Sequence, residues 1–411
     1  MSQNPPLRFF LGAFGQPGHA FPMLALGAEL VRRGHEVVYE TWTRWREPVE
    51  AHGMGFVAAP EYPVFPTAQR PVKPYEAVVH ATGETRPAIA AAQPDLVVHD
   101  ILTMAPALAA ELEDVPVATL IPHLYPVGAR GSPPYSFGAR LPRTRVGATL
   151  WRGLDRPVAS GLRRGREELN DARAQLGLAP VSHLFGGLSR RLCMVGTLPQ
   201  LEYPRAWPEH VHVVGPLMWE PPFEAVQPPP GDRPLVLVAP STAQDPDHRL
   251  LRAALAGLAS APVRVLATWN RRPLVEPVAV PANARLVRWL SYSRTMPGCA
   301  LVICHAGHGT LVRALASGCP VLAVPHAGDM AENAARVDWA GAGVRLPWPL
   351  VSPRTVRLAA MRALQTPSLT VCAARIAAWV AANDGASRAA DLTERLALRR
   401  RAGRDSPVPS G

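Results

Sequence analysis

Residues 304–344 read CHAGHGTLVRALASGCPVLAVPHAGDMAENAARVDWAGAGV. The run ALVIC that leads into this stretch and the run CPVLAVP within it have the aliphatic density of strands buried on both faces. Between them a Gly-rich turn opens onto a helical pattern. Strand, turn and helix in that order, repeated, mean a parallel sheet covered by helices on both sides. The turn from His305 to Thr310 carries chemistry. Gly307 and Gly309 allow the backbone to come close to a ligand, and the helix opening at Thr310 has free N–H groups that favour an anion, a diphosphate being the natural candidate. The same glycines would also serve a tight strand–helix turn with no ligand.

The alternation extends toward the N-terminus. LVLVAP, VRVLAT and ARLVRWL read as strands, and before them GPLMWEPPFEAVQPPPGDRP (Gly215 to Pro234) clusters prolines into an extended linker. On the far side the pattern restarts with RFFLGAF, EVVYET, GFVAA, DLVVH (Asp95 to His99) and VPVATLI (Val115 to Ile121) as strands. One helix runs to Arg33 with Gly34 as its cap, and another covers APALAAELE. From Tyr125 to Gly187 the pattern loosens into Pro/Gly turns and arginine-rich helices, the expected wall or lid of a pocket. The fold expected is α/β, with two doubly wound Rossmann-like domains facing a cleft. Residues 1–215 and 234–385 would form the two domains, joined by 216–233 and followed by a C-terminal helix and tail over 386–411.

A second turn, GQPGHAFP (Gly15 to Pro22), follows the first strand and sets His19 where packing asks for no imidazole. The two turns explain each other through a resemblance. The chain resembles the GT-B-fold nucleotide-sugar glycosyltransferases of glycosyltransferase family 1, in particular its actinobacterial antibiotic-type members. The pattern H-[GA]-G-x-G-T falls on His305 to Thr310, A-L-x-x-G-x-P on Ala314 to Pro320, and D-Q-x-x-N-A on Asp329 to Ala334, with VVGPL and GHEVVYET in their places. The resemblance implies that His19 is the general base, oriented by Asp100 at the end of DLVVHD. Imidazole titrates near the working pH, and a carboxylate holds it and stabilises its charged form. It also implies a donor site of Ser241, Thr242, Trp289, His305, Ala306, Gly307, His308, Gly309, Thr310, Asp329 and Met330. The reaction implied is direct displacement at the anomeric carbon with inversion, without cofactor or metal, from a UDP- or dTDP-linked sugar to a lipophilic natural product. Asp245-Pro246-Asp247 spells a D-x-D metal motif but reads as a helix cap. Met330 stands where the family has glutamine, which favours a deoxysugar.

The acceptor wall is expected from Phe14, Phe65, Tyr75, His123, Tyr125, Tyr135 and Phe137. Composition limits the rest. The chain has 411 residues, 48% apolar and 18% charged, enough for more than one core. The net charge of +11 lies in dispersed arginines, dense only at Gly161 to Glu168 and Arg399 to Arg404, and reads as solvated helix faces rather than nucleic-acid binding. Five cysteines without a C-x-x-C pair fit a reduced, cytoplasmic compartment. No run of twenty apolar residues and no export leader means no membrane insertion; a homodimer is left open. Three other readings stand beside this one. A dinucleotide oxidoreductase would use Glu40 on a ribose, but Gly12, Gly15 and Gly18 have the wrong spacing for it. The others are a sugar-nucleotide epimerase of the same fold and a catalytically silent helper that activates a partner enzyme.

Overall fold

A computed structural model describes residues 6–60, 74–129, 131–223, 225–241, 245–270, 274, 276–326 and 328–404. The N-terminal half runs β1 (Arg8–Gly12), α1 (Pro17–Arg32), β2 (Glu36–Thr41), α2 (Arg46–Ala51), β3 (Gly55–Ala58), α3 (Pro74–Ala92), β4 (Leu96–Asp100), α4 (Ala105–Leu112), β5 (Val117–Ile121), α5 (Arg145–Arg152), α6 (Asp155–Gln175), β6 (Cys193–Val195) and β7 (Val211–Val213). The C-terminal half runs β8 (Leu235–Ala239), α7 (Arg249–Leu258), β9 (Arg264–Thr268), β10 (Ala284–Val287), α8 (Tyr292–Thr295), β11 (Leu301–Cys304), α9 (His308–Ala316), β12 (Val321–Ala323), α10 (Met330–Trp339), β13 (Gly343–Arg345), α11 (Pro353–Leu364), α12 (Pro367–Ala382) and α13 (Gly385–Arg404).

The strands form two parallel sheets, ordered β3-β2-β1-β4-β5-β6-β7 and β10-β9-β8-β11-β12-β13. Both are doubly wound. Strand order reverses between β1 and β4 in the first sheet and between β8 and β11 in the second, so the loops leaving those strands diverge and open a crevice. His19 follows β1 and Asp100 ends β4; Ser241 follows β8 and His305 follows β11. The turns singled out in the sequence therefore stand at the two switch points. From β7 to β8 the described residues form no regular element.

Each sheet is sealed on both faces. Every residue of β4 and of β8 is buried, as a central parallel strand requires. The core on one face of the C-terminal sheet extends into the first half, setting Leu124, Leu198 and Leu201 from the first against Ala306, Leu311, Met330 and Ala334 from the second. After α12 the chain returns, and α13 buries Ala389, Ala390 and Ala397 in the core of the N-terminal sheet beside Leu24 and Tyr39. The outgoing and returning crossings touch. A side chain on Gly385 would stand 2.4 Å from the Pro216 carbonyl oxygen, and Gly215, at φ +102°, lies against Trp379.

Glu40 is no ribose ligand in this arrangement. It is buried, accepts a 2.8 Å hydrogen bond from Thr85 Oγ1, and burial pushes its carboxyl up to about 7. Among the described residues no helix is long and apolar enough to cross a membrane.

Arg33 fastens α13. Its guanidinium donates to Asp391 at 2.7 Å, Glu394 at 3.0 Å, and the Ser387 carbonyl and hydroxyl at 2.9 and 2.8 Å. Arg33→Ala deletes this fork and is expected to cost about 2 kcal/mol, because charge-assisted hydrogen bonds between partly buried groups are lost together. A lower denaturant midpoint checks it, and an unchanged midpoint would mean that apolar packing alone holds the helix.

Candidate active site

The N-terminal turn is built by close packing. Gly15 lies under the Trp42 indole, where an added Cβ would fall 2.0 Å from a ring carbon, and its carbonyl accepts from Trp45 Nε1 at 2.8 Å. With the turn so pinned, Pro17 starts α1 and His19 falls in its first turn. His19 Nδ1 is 2.8 Å from Asp100 Oδ1. Asp100 is fully buried and also accepts from the Phe14 amide at 3.3 Å. A carboxylate at Nδ1 fixes the tautomer that carries hydrogen there and leaves Nε2 as a base. Burial opposes charging of His19, but the charge of Asp100 and its hydrogen bond outweigh this, with help from Asp329, and the imidazole pKa lies above its ordinary value. Neighbouring His99 turns the other way, into the sheet, where Nε2 meets Thr119 Oγ1 at 2.8 Å.

Three of the expected acceptor residues gather around His19. The Phe14 ring lies 6.2 Å from it, edge-on, and the His123 ring 6.0 Å. Tyr135 stacks 6.1 Å from His123, with its hydroxyl 3.3 Å from Nδ1. Burial and the nearby His19 hold His123 below the ordinary histidine pKa. Tyr125 is not with them. It is a core residue, packed against Trp207 and under the Arg205 guanidinium. Phe137, 60% exposed, faces outward onto Trp151 of α5. Phe65 and the Tyr75 side chain lie outside the described residues.

Across the crevice, the residue of the 305–310 turn with a left-handed backbone is Ala306, at φ +60°. Gly307 and Gly309 have no such conformation to accommodate, and a side chain at either would point into open space. Backbone geometry therefore does not account for these glycines. His305 is buried behind them. Its Nδ1 accepts from the Ser241 amide at 2.9 Å, and Nε2 stands 3.3 Å from Asp245 Oδ2. The Asp245 carboxylate in turn caps α7, accepting from the amides of Arg249 at 2.9 Å and Leu250 at 3.0 Å. The first aspartate of the D-x-D spelling is thus engaged as a helix cap, the local reading of this loop.

Asp329 and Met330 open α10. Asn333 Nδ2 donates both to Asp329 Oδ2 at 3.1 Å and to the Ala306 carbonyl at 2.9 Å, tying this pair to the glycine turn. Glu332 is committed to Arg336, 2.8 Å away. Trp289 packs between Phe223 and Tyr292. Thr242 lies outside the described residues.

The bridge between the halves was not legible in the sequence. His308 Nε2 meets Thr197 Oγ1 at 2.8 Å, so a residue of the glycine turn reaches a loop of the N-terminal sheet. Burial, together with the charges of His123 and His19, pushes its pKa down to about 3. Arg336 adds a buried pair with Glu202 at 3.4 Å, and Arg140 an ion pair with Asp338 at 2.5 Å. Thr197 and His308 are 111 positions apart and share no motif.

Comparisons with known proteins agree with the geometry. Residues 252–394 match the family described as erythromycin biosynthesis protein CIII-like, C-terminal domain. The 4'-demethylrebeccamycin synthase of Lentzea aerocolonigenes is 30% identical over 92% of this chain and 97% of its own. The O-mycaminosyltylonolide 6-deoxyallosyltransferase of Streptomyces fradiae is 30% identical over 95% of this chain and 98% of its own. The crystal structure of the glycotransferase of kitacinnamycin superposes with a TM-score of 0.78 at 20% identity, covering 96% of this chain and 100% of that one, a likeness of fold. A fold of two facing doubly wound sheets and identity of this extent along whole chains lead to one conclusion: the chain belongs to the EryCIII-like natural-product glycosyltransferases of glycosyltransferase family 1 and is a nucleotide-sugar glycosyltransferase.

Proposed function

We propose that the protein transfers a sugar with inversion from a nucleoside diphosphate to a hydroxyl of a lipophilic natural product, with His19 as general base. The observation that carries this reading is the 2.8 Å contact between His19 Nδ1 and the buried Asp100, which leaves Nε2 as a base beside Phe14, His123 and Tyr135. Nε2 takes the acceptor proton while the acceptor oxygen attacks the anomeric carbon on the face opposite the diphosphate. The carbon–diphosphate bond breaks, and the amides at the start of α9 stabilise the charge that leaves. Asp100 stabilises the imidazolium. A fixed oxyanion site of this kind supplies what a divalent cation would otherwise supply, so no metal is required.

His19→Ala is expected to lower kcat by about a hundredfold or more, with the donor KM little changed, as loss of a general base does. Asp100→Asn should lower it less. The pH dependence separates the roles. The base must be neutral, so kcat/KM rises with pH through a pKa above the ordinary histidine value; in Asp100→Asn, with the favourable charge gone, that limb moves to lower pH. A His19→Ala enzyme with near-normal turnover on an alcohol would overturn the assignment. Transfer by the purified chain alone distinguishes it from a helper protein.

Activity is expected to survive a chelator. Loss of transfer in EDTA, restored by manganese, would return Asp245 and Asp247 to the role of metal ligands.

The sugar preference follows from Met330. A thioether accepts hydrogen bonds weakly and cannot donate; at neighbouring Glu332, Oε1 is held by Arg336 and Oε2 is buried without a partner. A hydroxyl facing this position loses on the order of 1–3 kcal/mol of pairing, whereas a deoxy carbon packs on the sulfur. A dTDP-deoxysugar is therefore the proposed donor. In measurements of kcat/KM, wild type should prefer it over UDP-glucose and Met330→Gln should shift toward UDP-glucose. A wild type that favours UDP-glucose refutes the preference.

A further inference from the structure

We propose that α5 and the start of α6 form a docking surface for an anionic lipid bilayer, on which the protein lies without crossing. Between Arg140 and Arg166 there are eight arginines and one aspartate, a net charge of 8 − 1 = +7 out of +11 for the chain. Three of these arginines are engaged within the protein: Arg140 with Asp338, Arg164 with Glu168, and Arg166 with the Ser182 carbonyl. Arg143, Arg145, Arg152, Arg156 and Arg163 are exposed. Charge alone would mark only a solvated face. Beside it, however, α5 has no buried residue, and it presents Val146 and Leu150, one turn apart, at 70% and 73% exposure, with Val158 of α6 at 40%.

The helix has a protein side and a free side. Gly147, Ala148 and Trp151 are half-buried, with the Trp151 ring 6.4 Å from Phe137. The free arc carries the aliphatic pair next to the Arg145 and Arg152 stripe. An amphipathic helix with aliphatic residues bordered by arginines is the pattern of a segment that lies in a membrane interface, its apolar side chains in the acyl boundary and its guanidinium groups at anionic headgroups. A second copy of the chain is a poor occupant, since it would bring the same five exposed arginines against these five. A nucleic acid would meet the arginines and leave Val146 and Leu150 wet. Among the described residues no helix is suited to span a membrane, so the surface rests on the bilayer.

The surface also has a position in the reaction. The loop after β5 sends Tyr135 inward to His123 and, two residues on, Phe137 outward to Trp151. The docking face is therefore the back of the acceptor wall, and a lipophilic acceptor dissolved in the bilayer would have a short path to His19. That last step rests on the function proposed above; the docking does not.

Co-sedimentation of the full-length protein with vesicles tests it. Vesicles of equimolar phosphatidylglycerol and phosphatidylcholine should bind at least about tenfold more protein than phosphatidylcholine alone, and high salt should weaken the binding. The double variants Val146→Ser/Leu150→Ser and Arg145→Glu/Arg152→Glu should each lose it while keeping their circular dichroism and their transfer to a water-soluble acceptor. Equal binding to both vesicle types, or binding retained in either variant, overturns the inference. So does tighter binding to duplex DNA that ignores the serine variant, which would assign the face to a polyanion by charge alone. A chain that binds vesicles but transfers no sugar overturns the proposed function and leaves the docking standing.

Discussion

A parallel sheet puts the C-terminal ends of all its strands on one edge, and where strand order reverses the two outgoing loops must part. That constraint acts twice in this molecule. It parts the loops after β1 and β4, which carry His19 and Asp100, and the loops after β8 and β11, which carry Ser241 and His305. Neither pair is adjacent in sequence. Each meets because its two strands are hydrogen-bonded neighbours, with Gly12 in register with His99 in one sheet and Cys304 with Ala239 in the other. What remains for the interface is to bring the two crevices face to face, and Leu124, Leu198 and Leu201 do so by burying themselves against α9 and α10.

Inside the crevice, the opposing influences on the two histidines nearest its centre have different winners. Both His19 and His123 are buried, which disfavours the cation in each. His19 has a carboxylate at hydrogen-bonding distance and its pKa rises. His123 has a carbonyl at Nδ1, 2.8 Å away, and a neighbouring histidine, and its pKa falls. The pair can therefore hold one proton in a defined place. Two imidazolium ions this close would repel each other in a site meant to attract an anion.

Most strands and both switch-point turns were legible because they depend on local pattern: short aliphatic runs, each followed by a turn, with Gly34 in the left-handed conformation its capping place demands. The elements missed are those whose pattern is weak. β6, β7 and β13 are three-residue strands, and α3 contains Pro87, which disguises a helix of 19 residues. At the site, the glycine turn stands out by residue type and spacing, whereas His19 and Asp100 are singled out through the family resemblance. The tautomer of His305, the outward turn of Phe137 and the bridge from His308 to Thr197 could not be read in either way. Each depends on a contact between segments that only the finished fold brings together.

The touching crossings at Gly215 and Gly385 set the mechanics of the whole. Two separate tethers between two bodies would resist rotation, each acting as a strut at a distance from the other. Here both strands of the chain pass through one point, with Gly385 so close to the Pro216 carbonyl that no side chain fits between them. The chain thus links the halves at one place, and every other bond between them is side-chain packing and pairing. The crossing fixes the separation of the halves at that point, and the buried contacts of α9 and α10 with the N-terminal loops set how His19 faces the glycine turn.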